Sequence, residues 1–317
     1  MNERPGTGRV DVTRKYVPRL VATVLVVAGG VGLASTLGRI DWATFAGALA
    51  NVSVKALAFA LCLSTVQVFA QLARFAVIFR RTERPPLREL LDATAVGQLL
   101  NFTTPMRAGD AYKLARLAPG GETPGTPLGA LAAALVVERV ADIAALLLVA
   151  APALGSLGEV LISPAHTREA IPRVALALAL GVVAGAVVVR RRPPFAARFA
   201  RDAWQILASP RFGLCLFVAL VTWVLDAGTL CWTARSAGSP IGLGAAIPCV
   251  LLLNVGIALP LTVANLGIFE ASLAFGLSLE GIGAERALVI ATLEHFVTLA
   301  GLVVCVGALK VVPRHRR

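Results

Sequence analysis

Apolar residues run through this chain in long, nearly uninterrupted stretches, not in the period-2 or period-3.6 stripes that mark half-buried strands and surface helices. A membrane-crossing helix needs about 20 predominantly apolar residues. Six segments meet that requirement, at about 17–37, 53–79, 126–151, 170–189, 212–233 and 284–311. Two further apolar regions, 87–117 and 241–279, are interrupted midway, the first by Asn101, Phe102, Thr103, Thr104 and Pro105, the second by Leu259 and Pro260 through Gly267. Neither half of either region is long enough to span. Each is therefore expected to be a re-entrant hairpin, two half-helices entering and leaving by one face with the turn buried in protein; the alternative is a single kinked span. The expected fold class is all-α: one integral membrane domain over residues 1–317, a polytopic helix bundle of about six full spans plus two re-entrant helical hairpins.

The order span, span, hairpin, span occurs twice, over 1–153 and 169–317. An odd number of crossings per copy predicts that the second repeat is inverted. A gap-free offset of 156 positions lays 134–149 on 290–305 and superimposes Glu138-Arg139 on Glu294-His295. Between the halves, residues 190–210 place Phe195, Phe199, Ala203, Ile206 and Leu207 on one helical arc and Arg198, Arg201 and Asp202 on the other. That pattern fits either an amphipathic helix on the cytoplasmic leaflet or a solvated linker.

Composition strengthens the membrane reading: 57% of the 317 residues are apolar, 15% are charged and the mean hydropathy is +0.78. Ordinary soluble chains carry about 25% charged residues. The net charge of +12 would suggest nucleic acid in a soluble protein, but the basic residues sit at the edges of the apolar segments. With six spans and two hairpins, 21 of the 30 Lys and Arg residues fall on one side, in the N-terminus, 80–88, 113–116, 190–211 and the C-terminal tail. By the positive-inside rule that side is the cytoplasm, so both termini are expected there, in a multi-pass plasma-membrane protein. The apolar run after Arg19 fits a retained first helix better than a cleaved leader. Five cysteines without C-x-x-C spacing suggest packing residues, with neither a disulfide framework nor a zinc site.

Ionisable groups at bilayer depth cost at least about 2.5–3.5 kcal/mol and so attract functional readings. The acids within the apolar segments are Asp110, Glu138, Asp142, Asp226, Glu270 and Glu294, against Arg74, Arg107, Arg139 and the titratable His295. Arg74 lies near a basic edge, where snorkelling would account for it. Glu138, Arg139 and Asp142 share a helix face, as either a self-neutralising packing cluster or a polar cavity wall. Thr104-Pro105 reads as an N-cap followed by the first helical position, with Arg107 in the first turn, a suitable receptor for a lipid phosphate unless Arg107 pairs structurally with Asp110 or Glu270. Asn265 is expected to cap the second hairpin's returning half-helix, whose first turns carry Gly267 and Glu270. The candidate substrate-binding set is therefore Arg107, Asp110, Glu138, Arg139, Asp142, Asn265 and Glu270, with Asp226, Glu294 and His295 as proton-linked candidates. No G-x-S-x-G, H-E-x-x-H or Walker A pattern occurs, and neither catalysis, a metal nor another cofactor is expected.

The stretches M-R-A-G-D-A-Y-K-L-A-R-L (106–117), V-V-E-R-V-A-D (136–142) and L-P-L-T-V-A-N-L-G-I-F-E (259–270) together resemble the lysylphosphatidylglycerol synthetase membrane-region family, the flippase-like proteins. The resemblance covers almost the whole chain and implies lipid handling. In the best-known members such a membrane region moves aminoacylated phosphatidylglycerol between leaflets, and a separate C-terminal soluble domain attaches the amino acid. The chain runs to Arg317, so the resemblance is to a membrane region without that domain. Thr262-Val263-Ala264-Asn265 departs from the family's more glycine-rich turn. The expected function is translocation or binding of an anionic or isoprenoid lipid. The alternatives are an accessory membrane subunit for a lipid-modifying enzyme or glycosyltransferase, and, less favoured, an intramembrane transferase or hydrolase. Expected partners are membrane lipids with an anionic headgroup and a lipid-modifying enzyme, not nucleic acid.

Overall fold

Backbone amides in hydrocarbon find no water to bond, so a chain this apolar must satisfy them within its own segments, and the helix is the local solution. The computed structural model describes residues 41–79, 85–104, 108–118, 127–161, 193–257 and 265–311, with backbone only at 153–161 and 193–195. Over these residues the chain forms helices α1 (Trp42–Ala50), α2 (Val54–Ile78), α3 (Leu87–Thr103), α4 (Ala108–Leu117), α5 (Leu128–Leu161), α6 (Pro193–Leu207), α7 (Pro210–Ser236), α8 (Leu243–Ile257), α9 (Ile268–Leu279) and α10 (Ala284–Val311). No strand occurs among the described residues. The expected spans at 17–37 and 170–189 lie outside them.

Helices α2, α7 and α10, of 25, 27 and 28 residues, are long and apolar enough to cross a membrane. At about 1.5 Å per residue each exceeds the roughly 30 Å of a hydrocarbon core. Their outward faces are apolar: Val66 and Phe69 on α2, Phe217 on α7, and Phe296 and Val303 on α10 are exposed. Inside, small residues let the helices approach, as lipid-embedded packing demands. Ala60, Ala219 and Ala227 are fully buried, and a Cβ at Gly301 of α10 would lie 2.5 Å from the Ser64 hydroxyl of α2.

The two interrupted regions fold back on themselves. In the first, Gly97 of α3 lies against Gly109 and Lys113 of α4, and Asn101 bonds Asp110, so the half-helices run side by side and antiparallel. In the second, Gly256 of α8 meets Ser272 of α9, and Cys249 meets Gly276. A kinked span would hold its halves end to end and make neither set of contacts.

Helices α2, α3 and α5 begin at Val54, Leu87 and Leu128, and α7, α8 and α10 begin 156 residues later, at Pro210, Leu243 and Ala284. The corresponding helices α2 and α7 pack antiparallel: the Ser53 amide at the start of α2 bonds the Ser236 carbonyl at the end of α7, and Phe59 meets Trp232. The other contacts also occur in exchanged pairs: α5 packs on α7 as α10 packs on α2, and α3 packs on α10 as α8 packs on α5.

Two elements differ from expectation. Helix α1 falls between the expected spans 17–37 and 53–79, where no element is expected; Asp41 caps it, accepting from the Thr44 hydroxyl at 2.6 Å and the Ala43 amide at 3.0 Å. Those bonds, the Thr44 hydroxyl foremost, hold the Asp41 carboxyl below its ordinary range. Helix α6 forms where an amphipathic helix was one of two readings, and it packs on α5 with Asp202 near Gly129. Asp202 is therefore half-buried, while Trp204 stands outward at 69% exposure.

Candidate functional site

Polar side chains that cannot face lipid converge on the space between the hairpins. A cavity of about 210 Å³ is bounded by Gln67, Gln71 and Arg74 of α2, Arg139 and Asp142 of α5, Trp223 and Asp226 of α7, and Glu294 and Thr298 of α10. Each hairpin closes part of it, the first with Gln98, Asn101, Phe102 and Thr104, the second with Asn254, Ile257, Asn265 and Phe269.

One wall is a chain of alternating charges. Buried Arg74 bonds Asp142 at 2.5 Å and Glu138 at 3.3 Å. Arg139 meets Asp142 at 3.6 Å and Asp110 at 3.3 Å, and Asp110 lies 3.4 Å from Lys113. Asp110 also accepts from the Asn101 side-chain amide at 2.9 Å, and its own backbone amide donates to the Asn101 oxygen at 3.1 Å. Three cations thus face three carboxylates, which is how buried charge is tolerated at all. Of the three cations only Arg139, with 32% of its side chain exposed, combines solvent access with a place on the cavity wall. A guanidinium has five donors in a planar fork, so Arg139 can keep both carboxylates and still offer hydrogen bonds to a phosphate.

A second group lies across the cavity. Glu270 bonds His295 at 2.6 Å and accepts from the Gly267 amide at 2.7 Å. The His295 ring stacks on Phe269, 4.4 Å between centroids, and meets Phe102 of the first hairpin edge-on at 5.0 Å. Asp226 accepts from the Gln67 amide at 2.8 Å, and Glu294 is buried on α10 beside it.

The residues singled out in the sequence are therefore distributed as follows. Asp110, Glu138, Arg139 and Asp142 join in one network; Asp226, Glu294 and Asn265 reach the cavity wall; Glu270 and His295 pair with each other behind Phe269. Arg107 lies outside the described residues. Several expectations are corrected. Arg74 does not snorkel: it is 2% exposed and bonds two carboxylates. Lys113, counted among cytoplasmic-edge charges, is buried against the Phe75 ring. The Thr104 hydroxyl donates back to the Leu100 carbonyl and closes α3, and the described part of α4 begins at Ala108. The cap of α9 is Gly267, not Asn265. Gly267 adopts φ 82°, which glycine accepts without strain, and its amide is satisfied by Glu270; Asn265 sits earlier in the turn at φ 55°, a conformation asparagine tolerates. Arg74 had a legible signal, because Gln67, Gln71 and Arg74 recur at helical spacing on one face of α2.

A family model described as the lysylphosphatidylglycerol synthase TM region matches residues 20–307, a stretch that contains every cavity residue named above. No curated protein matches the chain significantly.

Proposed function

The chain belongs to the lysylphosphatidylglycerol synthase TM-region family, a membrane family of lipid-related function, and from that premise we propose that it is a flippase-like protein that translocates a lipid with an anionic headgroup without altering it chemically. The observation that carries this reading is one polar cavity walled by both interrupted hairpins and by the antiparallel pair α2 and α7. Transporters built from inverted repeats place their substrate sites at such an interface, between broken helices. The 156-residue recurrence of helix starts and the exchanged packing pairs support an inverted repeat here. The headgroup phosphate meets Arg139 and, from the sequence between Thr104 and Ala108, Arg107; the acyl chains remain in the bilayer. The protein resides in the plasma membrane, with both termini and 190–211 cytoplasmic, an orientation that protease protection of right-side-out vesicles checks.

The decisive experiment is leaflet-resolved movement of labelled anionic lipids in vesicles containing the purified protein. Arg139→Ala and Arg107→Ala should each slow movement tenfold or more. Arg139→Ala should remain abundant, since Asp142 keeps Arg74 and Asp110 keeps Lys113 and Asn101. Arg139→Lys should restore only part of the rate, because an ammonium keeps the charge and loses the fork. Wild-type movement by stable Arg139→Ala would overturn the site. An inert wild-type protein that co-purifies an active lipid-modifying enzyme would favour the accessory-subunit reading.

A further inference from the structure

The charged groups of the cavity are not evenly balanced. On the α5 side every carboxylate has a cation within 4 Å. Asp226 and Glu294 have none among the described residues, and each lies close enough to feel other carboxylates, Asp142 for Asp226 and Asp226 for Glu294. Glu294 is 3% exposed, and one of its carboxylate oxygens accepts no hydrogen bond although the side chain lines the cavity. Two neighbouring acids in a low-dielectric interior resist ionising together unless a positive charge joins them.

Beside the carboxylate oxygens themselves stand further oxygen-bearing side chains. The Gln67 side-chain amide bonds Asp226 through its nitrogen, the Thr298 hydroxyl lines the same cavity one turn beyond Glu294, and Thr233 lies beside Glu294. Oxygen donors suit alkali and alkaline-earth ions. Among the described residues no three His, Cys, Asp or Glu side chains gather into an all-protein metal site, and a single positive charge is the least that relieves the repulsion between the two acids. The cavity, at about 210 Å³, admits an ion with several waters, each of about 30 Å³. We propose that Asp226 and Glu294, with Gln67 and Thr298, form a binding site for a small monovalent cation, Na⁺. Carboxylate oxygens present a strong local field, which favours Na⁺ over the larger K⁺. The site opens into the same cavity as Arg139, so the ion would sit beside any bound headgroup and offset its charge.

Radiolabelled ²²Na⁺ binding to the purified wild-type protein tests this without any lipid movement, so its failure is distinct from failure of the transport reading. Saturable binding is expected, displaced by unlabelled Na⁺ at least tenfold more effectively than by K⁺, and lost in Asp226→Asn/Glu294→Gln. Thermal unfolding supplies the folding control. Without Na⁺ the double variant should melt at or above the wild-type temperature, since it removes two unpaired acids. Added Na⁺ should raise the wild-type melting temperature and leave the variant's unchanged. Absence of saturable ²²Na⁺ binding overturns the proposal. So does a melting temperature that follows pH alone, indifferent to replacing Na⁺ by K⁺ or N-methylglucamine, because the acids would then be held by protons.

Discussion

The two hairpins are alike in outline and different in how they are held. In the first, backbone meets backbone: a Cβ on Gly109 would overlap the Gly97 carbonyl, and Asp110 ties α4 to α5 through Arg139. In the second, Gly256 meets a serine side chain, and Glu270 ties α9 to α10 through His295. Arg139 and His295 correspond under the 156-residue offset, so one position carries a permanent charge in one half and a titratable, aromatic-stacked ring in the other. The same tether can thus be built from a charge network or from a single hydrogen bond supported by rings. The cost of breaking the first is concentrated at its buried end, where Arg74 and Glu138 are shielded from solvent, and falls off toward the part-exposed Arg139 and Asp110.

The largest effect should come from Arg74→Ala, which leaves Glu138 and Asp142 competing for Arg139 and Lys113 inside the bundle. Removing one partner of a buried pair typically costs about 3–5 kcal/mol, so thermal unfolding in detergent should show a strongly destabilised protein, or membranes should contain little of it. Unchanged stability would mean that Arg74 is dispensable to the network.

Next should be Gly109→Ala. Overpacking costs roughly 1–3 kcal/mol where neighbours can shift, and here the neighbour is a backbone carbonyl, which pushes the loss to the upper end. Gly256→Ala meets the Ser272 hydroxyl, which can rotate away, and the Ser272 Cβ at 2.7 Å, which yields only with a small shift of α9, and should lose less than Gly109→Ala. Equal losses in paired unfolding measurements would show that the second hairpin is packed as rigidly as the first.

The smallest effect belongs to Glu270→Gln, which keeps an acceptor for the Gly267 amide and removes only the charge facing His295. A net loss of about 0.5–1.5 kcal/mol is expected, the usual worth of one hydrogen bond. A collapse like that of Arg74→Ala would reveal the His295 tether as equal to the charged one.

Much of this fold is legible in the residue pattern. The long apolar runs predicted α2, α7 and α10 to within a few residues, and the breaks at Asn101–Pro105 and before Gly267 marked where each hairpin turns. Helix α1 was not legible, because nine residues with a local Asp41 cap give too short a period to separate from a loop. The charges stand out in the sequence as unusual, and the pairing of Arg139 with Asp142 follows from their spacing on one helix, but the sequence points to no partner for Arg74. Glu138, Arg139 and Asp142 lie on one helix, where spacing alone shows a shared face, whereas their essential partner Arg74 sits more than 60 positions earlier on α2.

The sequence by itself determined the solvent and the secondary structure: apolar length and the scarcity of charge require lipid around helices, and Gly, Pro and Asn mark where two of the apolar regions are interrupted. Only the tertiary structure decided which charge neutralises which. It paired Arg74 with α5, buried Lys113, and left Asp226 and Glu294 on the cavity wall with no ion-pair partner among the described residues. The reason is physical: hydrophobic period and helix propensity act over a few residues, while an ion pair in a low-dielectric interior depends on distances of 3–4 Å between helices far apart in the chain.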